Sequence, residues 1–401
     1  MAGIRGLFNC FPKHAASRAA DNYAAGAAAF THVRPPWDET ILTEALKKME
    51  TSLERAASYV LAPATQPPPI YPAAKVARAQ GFDFDLFEVP YDDLPTFAFS
   101  VLVLHPSLSS GEGACPIDRE KLWRYVVAVA AHYHQRPFHS FRHAVDVLLA
   151  TNHLISLIKA DRPEPFSSPL EVACLLISAL VHDTDHPGVM NSFMLASKHP
   201  VSTAATSQGD GWFGSFSAGS TKAILETHHA GMAIALLQRP ELDFTQPLAA
   251  GDRERFVALL RENVLNTYDG TTPAKAAEFS ALLLNGDGTA SESMPSAAQV
   301  MCMVIKAADI SNPVRPLKVY EKWIDGVMSE FFTQVSGCGG NASKQRPALA
   351  SQRDSHPPHL FSCFFHLFSP HLSLHARSCC GLAARQQTGA AQIAPPLAST
   401  L

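Results

Sequence analysis

The chain has no excess of basic residues. Its 401 residues carry 32 lysines and arginines against 36 aspartates and glutamates, a formal charge of −4. Without a basic field there is nothing to concentrate polyanions, which argues against a nucleic-acid partner or an anionic membrane surface. Long apolar runs are also missing. None approaches the roughly 20 residues a membrane-spanning helix needs, so no transmembrane segment is expected. The stretch Leu360–Leu374 comes nearest, and Pro370 and two histidines interrupt it. None of the eight cysteines forms a CxxC pair. They read as reduced thiols in a cytoplasmic protein, not as a disulfide scaffold. Few segments alternate with the two-residue period of strands, and no internal repeat is evident. What is present is apolar bulk, 47% of residues, enough to bury a sizeable core.

Residues 1–75 read as an Ala/Pro-rich leader with one helical stretch, Glu39 to Leu61, followed by the proline run PATQPPPIYP. Arg5, Lys13 and Arg18 with a single acid, Asp21, loosely fit an organelle transit peptide; a disordered lead is the preferred reading. Residues 76–335 carry helical periodicity. Leu122, Val126, Val129 and Tyr133 share one face of 118–133. Ser168, Pro169 and Glu171 predict a helix start closed by a capping box, running to about His182. Further helical patterns cover about 221–238, 252–266, 273–284, 294–310 and 314–334. The fold class is therefore all-α, a compact multi-helix bundle. Two stretches break it: a Gly/Ser-rich insertion at 199–220 and a His/Pro/Ser/Phe-rich low-complexity tail at 336–401, where Asp354 is the only acid.

The chemistry gathers in three places. PFHSFRHAVDV supplies His139, His143 and Asp146; HDTDHPGVMN supplies His182, Asp183, Asp185, His186 and Asn191; KAADISNP supplies Asp309. His139 and His143 are four apart, as are His182 and His186, so each pair shares a face if its segment is helical. Imidazole with carboxylate suits zinc and similar ions, whereas carboxylate with water suits magnesium or manganese. A lone histidine on an apolar helix is ordinarily a satisfied core residue. The combination H-x3-H-x2-D, H-D-x2-H-x4-N and A-D-I-S-N-P, in that order, outweighs that reading. Asp146 reads as support for a helix or a histidine, and Asp185 as solvent-facing.

These motifs, with LETHHAGMAIALL and KAADISNPVRPLKVYEKWIDGVMSEFF, resemble the class I cyclic nucleotide phosphodiesterases, within the wider HD metal-dependent phosphohydrolases. The resemblance covers about residues 80–335. It implies the helical fold of that family and hydrolysis of a 3′,5′-cyclic nucleotide, cAMP or cGMP, to the 5′-monophosphate in signal transduction. It implies two divalent ions. His143, His182, Asp183 and Asp309 match the ligands of the tight site, usually zinc. Asp183 would also bridge to a second ion, magnesium or manganese. His139 matches the general acid that protonates the leaving O3′. His186, Asn191, Glu226, His229 and Thr267 match residues that orient ligands and bound waters. His139, Asp183 and Asp309 would face the substrate.

The pattern departs from the family at several points. Ser140 stands where an asparagine is usual, and Tyr268 where an aspartate is expected, unless Asp269 replaces it by a one-residue shift. Residues 199–220 replace a tyrosine-asparagine-aspartate stretch. No Q-x-G-F segment carries the family's purine-reading glutamine. These departures keep two alternatives open: a truncated metal-binding variant without activity, and an HD-type phosphohydrolase acting on another nucleotide or phosphoester.

Overall fold

The computed structural model describes residues 70–197, 223–283 and 295–338, all within one compact unit of the chain. The helix expected at 39–61, the insertion at 199–220 and nearly all of the tail lie outside the described residues. Among the described residues there are eleven α-helices and no strand: α1 Ala73–Arg78, α2 Leu94–Leu104, α3 Arg119–His132, α4 Phe141–Asp161, α5 Pro169–Val181, α6 Asn191–Ala196, α7 Ile224–Leu237, α8 Ala250–Leu265, α9 Thr272–Leu283, α10 Ala297–Asp309 and α11 Leu317–Cys338. The all-α expectation holds. α1 begins three residues before the expected domain start, and α11 ends three beyond the expected domain end.

The bundle is built around α5. Every residue from Val172 to Val181 is buried, so this helix has no polar face. Each buried Leu, Ile or Val on it contributes about 1.5–3 kcal/mol relative to exposure. α4 and α8 pack along its sides; α7 packs on α8, and α10 on α4. Its start follows the sequence expectation in part. Ser168 accepts from the Glu171 amide at 3.3 Å. The Glu171 carboxylate, however, pairs with Arg255 on α8 and does not close a capping box. The complete box is at α10, between Ser296 and Gln299.

Polar ties fix the ends of the helices that meet at the histidines. The Tyr133 hydroxyl donates to the Leu180 carbonyl at 3.0 Å and accepts the Asp183 amide at 3.2 Å. Asp146 is buried on α4 with its carboxylate 2.8 Å from Arg315 Nη2, and it accepts from Asn312 at 3.3 Å. It therefore locks α4 to the turn after α10, in keeping with the sequence reading of Asp146 as support for a helix or a histidine. Gly326 of α11 lies against the Pro137–Phe138 backbone. A Cβ there would stand 2.5 Å from the Pro137 carbonyl oxygen, so only glycine permits this approach without a shift. Beside it, Phe138, Trp323 and Val319 form a small apolar cluster with Phe87 and Val327.

Candidate metal centre

His182 is the first residue after α5, and the chain then turns. Thr184 N–H donates to the Val181 carbonyl and His186 N–H to the Asp183 carbonyl, both at 3.1 Å. The condition under which His182 and His186 would share a helix face is therefore not met: the helix has ended, and the two histidines fall in different donor groups that share Asp183. His139 likewise precedes α4, which starts at Phe141. Only His143 of that pair is helical.

Each ring is aimed by the bond on its other nitrogen. His182 Nδ1–H donates to the Ala179 carbonyl at 2.9 Å, and His229 Nδ1–H to the Thr184 carbonyl at 2.7 Å. With Nδ1 so committed, the Nε2 atom of each ring is the one that faces the carboxylates. Asp309, the last residue of α10, places Oδ1 3.2 Å from both His143 Nε2 and His182 Nε2. Asp183 Oδ2 lies 3.3 Å from His182 Nε2 and 3.6 Å from His143 Nε2. Asp183 Oδ1 lies 3.7 Å from His229 Nε2.

These distances test whether an ion fits. Ligand bonds of about 2.1 Å put neighbouring donors roughly 3.0 Å apart in an octahedron and roughly 3.4 Å apart in a tetrahedron. Three of the five spacings, at 3.2–3.3 Å, fall in that range, and the other two, at 3.6 and 3.7 Å, lie just above it. The Nε2 atoms of His182 and His229 are buried without a hydrogen-bond partner. Two groups of donors lie mutually within 4.8 Å: His143, His182 and Asp183, and Asp183, His186 and His229. Asp183 belongs to both. The residues fit a divalent cation, and the shared aspartate suits a second beside the first.

The electrostatics show how strongly the site calls for positive charge. Burial alone would raise the carboxyl of Asp183, yet His182 holds it well below its ordinary value; Asp309 is lowered in the same way, chiefly by His182. His182 is driven well above its ordinary value by Asp183 and Asp309 despite its burial. On the other side, burial and neighbouring cations depress His186, and burial brings His229 down to about 4. Neutral imidazole is the form that can ligate a metal or accept from water.

His139 sits beside this cluster, stacked on His186 with ring centroids 3.8 Å apart. Its Nδ1–H donates to Glu330 Oε2 at 2.5 Å, while Glu330 Oε1 accepts the main-chain N–H of Phe138 at 2.8 Å and of His139 at 2.9 Å. Burial would lower His139, but the bond to Glu330 and the nearby carboxylates raise it. With Nδ1–H committed, Nε2 is the position from which a proton could be delivered. Asn191 and Glu226 pair with each other: Asn191 Nδ2 donates to both carboxylate oxygens at 3.1 and 3.0 Å, and burial pushes Glu226 up to about 7. Thr267 is buried with its hydroxyl donated to the Val264 carbonyl.

Several neighbours of the cluster take contacts that the sequence reading did not anticipate. Glu330 falls on the apolar stripe Val319, Trp323, Val327 of α11, and an acid on that stripe was the available signal. Lys306, three residues before Asp309 on the same face of α10, is buried; it bonds the Thr267 carbonyl and lies 3.2 Å from Asp269. Asp269 itself is 84% exposed. It reaches the buried Lys306 from the surface and, at that exposure, does not turn into the cluster. Asp185 is not solvent-facing as expected. Its side chain is 12% exposed, with one oxygen 2.8 Å from His134 Nε2 and the other 2.8 Å from His228 Nε2. Two imidazole donors make carboxylate burial affordable there.

Comparison with known proteins identifies the family. The profile of the family described as 3′5′-cyclic nucleotide phosphodiesterase matches residues 138–352, over half of the chain. The 3′,5′-cyclic-AMP phosphodiesterase isoform F of Drosophila melanogaster is 30% identical over 203 residues, which is 49% of this chain and 28% of that protein. Isoforms N/G from the same organism are also 30% identical, with 19% of that protein covered. The chain thus spans less than a third of the length of these curated relatives. Among solved structures, the phosphodiesterase domain of Salpingoeca rosetta rhodopsin phosphodiesterase superposes with a TM-score of 0.54 at 25% identity, covering 67% of this chain and 77% of that one. LmjPDEB1 in complex with IBMX superposes equally well, covering 67% and 79%. With the family profile lying over the histidine and aspartate motifs that build the cluster, the chain belongs to the 3′5′-cyclic nucleotide phosphodiesterase family.

Proposed function

We propose that this chain hydrolyses a 3′,5′-cyclic nucleotide to its 5′-monophosphate, using zinc held by His143, His182, Asp183 and Asp309 and a magnesium or manganese ion beside Asp183. When bound, such ions supply Lewis-acid neutralisation of the phosphate charge and make water available as hydroxide near neutral pH. The protein's own residues do the rest. His139, held by Glu330 through Nδ1, delivers a proton from Nε2 to the departing O3′. Asp183 and Asp309 define where the phosphate must sit, and His186, His229, Thr267 and the Asn191–Glu226 pair orient bound water around it. The observation that carries the reading is the 3.2–3.6 Å spacing of the four ligand side chains next to a carboxylate-held histidine. The relatives named as cyclic-AMP phosphodiesterases make cAMP the first substrate to assay, with cGMP beside it.

The test is turnover of both nucleotides by the full chain with zinc and magnesium added, products identified by phosphorus NMR. A chelated sample and Asp183→Ala run in parallel. Formation of the 5′-monophosphate that disappears in both controls is the expected result. Stoichiometric zinc binding without turnover of either nucleotide would leave the metal site standing and refute the hydrolase reading.

A further inference from the structure

The HDTDHPG turn bears Asp183, and its backbone does something unusual two residues later. Asp185 has φ 65°, the only non-glycine residue among those described with a positive φ. L-residues other than glycine adopt that region sparingly, and aspartate and asparagine are the most tolerant of them. Both carboxylate oxygens of Asp185 are held at 2.8 Å, one by His134 just beyond α3 and one by His228 on α7. Ionised carboxylate only accepts, so both facing ring nitrogens carry protons. His229, next to His228, holds the carbonyl of Thr184, next to Asp185. The turn is thus pinned between the exits of α3 and α5 and the side of α7.

We propose that Asp185 is the positioning residue of the metal-bearing turn: its clasp by His134 and His228 holds the left-handed backbone that sets the Asp183 carboxylate and the His186 ring. A solvated aspartate at this point would leave the turn free to relax toward negative φ. Asp183 and His186, on either side of Asp185, would then lose their register with His143 and Asp309. The functional consequence rests on Asp183 being a metal ligand; the clasp itself does not.

The experiment uses the full chain and two readouts. The first is amide hydrogen exchange in the metal-free protein at Thr184, His186 and Gly188, whose N–H groups bond within the turn to the Val181 carbonyl, the Asp183 carbonyl and His186 Nδ1. The second is zinc affinity, by competition with a chromophoric chelator. Asp185→Ala should speed exchange at these three amides at least tenfold while leaving α8 unchanged, and weaken zinc by about 10- to 100-fold, the usual effect of losing a group that orients ligands. Asp185→Asn should fall nearer wild type, because asparagine tolerates the backbone. His134→Ala removes one arm at a ring that is 45% exposed, so the fold stays intact, and should shift both readouts in the same direction by less. Unchanged turn exchange in Asp185→Ala overturns the proposal, whatever zinc does. Faster turn exchange in a protein that never binds zinc supports the clasp and refutes the metal reading instead. If Asp185→Ala exchanges faster everywhere, His134→Ala decides, and wild-type turn exchange there overturns the proposal.

Discussion

Glu330 allows a prediction in which stability and chemistry separate. Its carboxylate is 4% exposed and accepts three donors: two main-chain N–H groups through Oε1 and the His139 ring through Oε2. Glu330→Gln can keep the first oxygen's two bonds. It turns the second position into an amide donor facing the His139 Nδ1–H, so the ring must switch tautomer. One charge-assisted bond, about 1.5–3 kcal/mol, is exchanged for a neutral one, a net loss of roughly 1–2 kcal/mol. Glu330→Ala removes all three acceptors. The Phe138 amide is buried and keeps no partner, which adds roughly 1–3 kcal/mol. Alanine should therefore cost about 3–5 kcal/mol and glutamine about 1–2, read as shifts in urea midpoint at constant slope. Hydrolysis should fall about 10²-fold or more in both, because each leaves His139 a poor acid. The pH dependence follows from two opposite shifts. His139 is raised above its ordinary 6.5, so its contribution is complete below about 6.5 and is lost as pH rises through the folded value. Glu330 is lowered beneath its ordinary 4.5, so its contribution is complete above about 4.5 and is lost as pH falls through the folded value. The pair stabilises fully between those limits, and wild-type stability should decline above about 6.5 more steeply than that of the glutamine variant, which keeps only the pull of Asp183 and Asp309 on His139. Equal losses in glutamine and alanine, or identical pH slopes in wild type and glutamine variant, would refute the charge-assisted bond.

Three further outcomes are expected. Stripping metal should lower the melting temperature, since an ion at 1,000 times its dissociation constant adds about 4 kcal/mol; Asp183→Ala should melt at the same temperature with and without chelator, and a persisting difference would place the ion elsewhere. Glu226 is raised by burial to about 7, so in metal-free protein stability should fall as pH rises from about 4.5 to about 7 and then level off; Glu226→Gln should flatten that segment of a stability–pH curve, and an unaltered curve would contradict the buried carboxyl. Asp146→Ala strands the buried Arg315 cation and should cost about 3–5 kcal/mol by denaturant unfolding. A loss under 1 kcal/mol there would mean that the guanidinium finds water.

The helices of this bundle were legible where they were amphipathic or capped. α3, α5, α7, α8, α9, α10 and α11 fall within a few residues of their expected limits because apolar spacing and capping residues are local properties. α2, with the sequence LPTFAFSVLVL, was not read as a helix. It is apolar on every side and rich in aromatic and β-branched residues, so no period separates helix from strand. The candidate site was legible as a set of histidines and aspartates in order, since H-D-x2-H and A-D-I-S-N-P supply the side chains that the structure gathers. Their geometry was not. His182 and His186 are set by the turn that contains Asp185, and nothing local says that an aspartate two residues past a candidate ligand will be seized by histidines 51 and 43 residues away.

The same distinction explains which residues were missed. Sequence period places a side chain on a face, but the partner that makes a buried charge tolerable comes from another element. Asp146 finds Arg315, Glu330 finds His139, and Lys306 finds the Thr267 carbonyl. Each pair joins segments at least 39 residues apart, and each sits beside α4 or α10, the helices that carry His143 and Asp309. A buried charge without its partner is strongly destabilising, so these pairs admit few alternative packings of α4 against α10 and α11. A metal site needs its donors held to a few tenths of an ångström before the ion arrives. The buried charges around this one supply that constraint, and an acid or lysine interrupting an apolar stripe near a candidate ligand is therefore the sequence signal to look for.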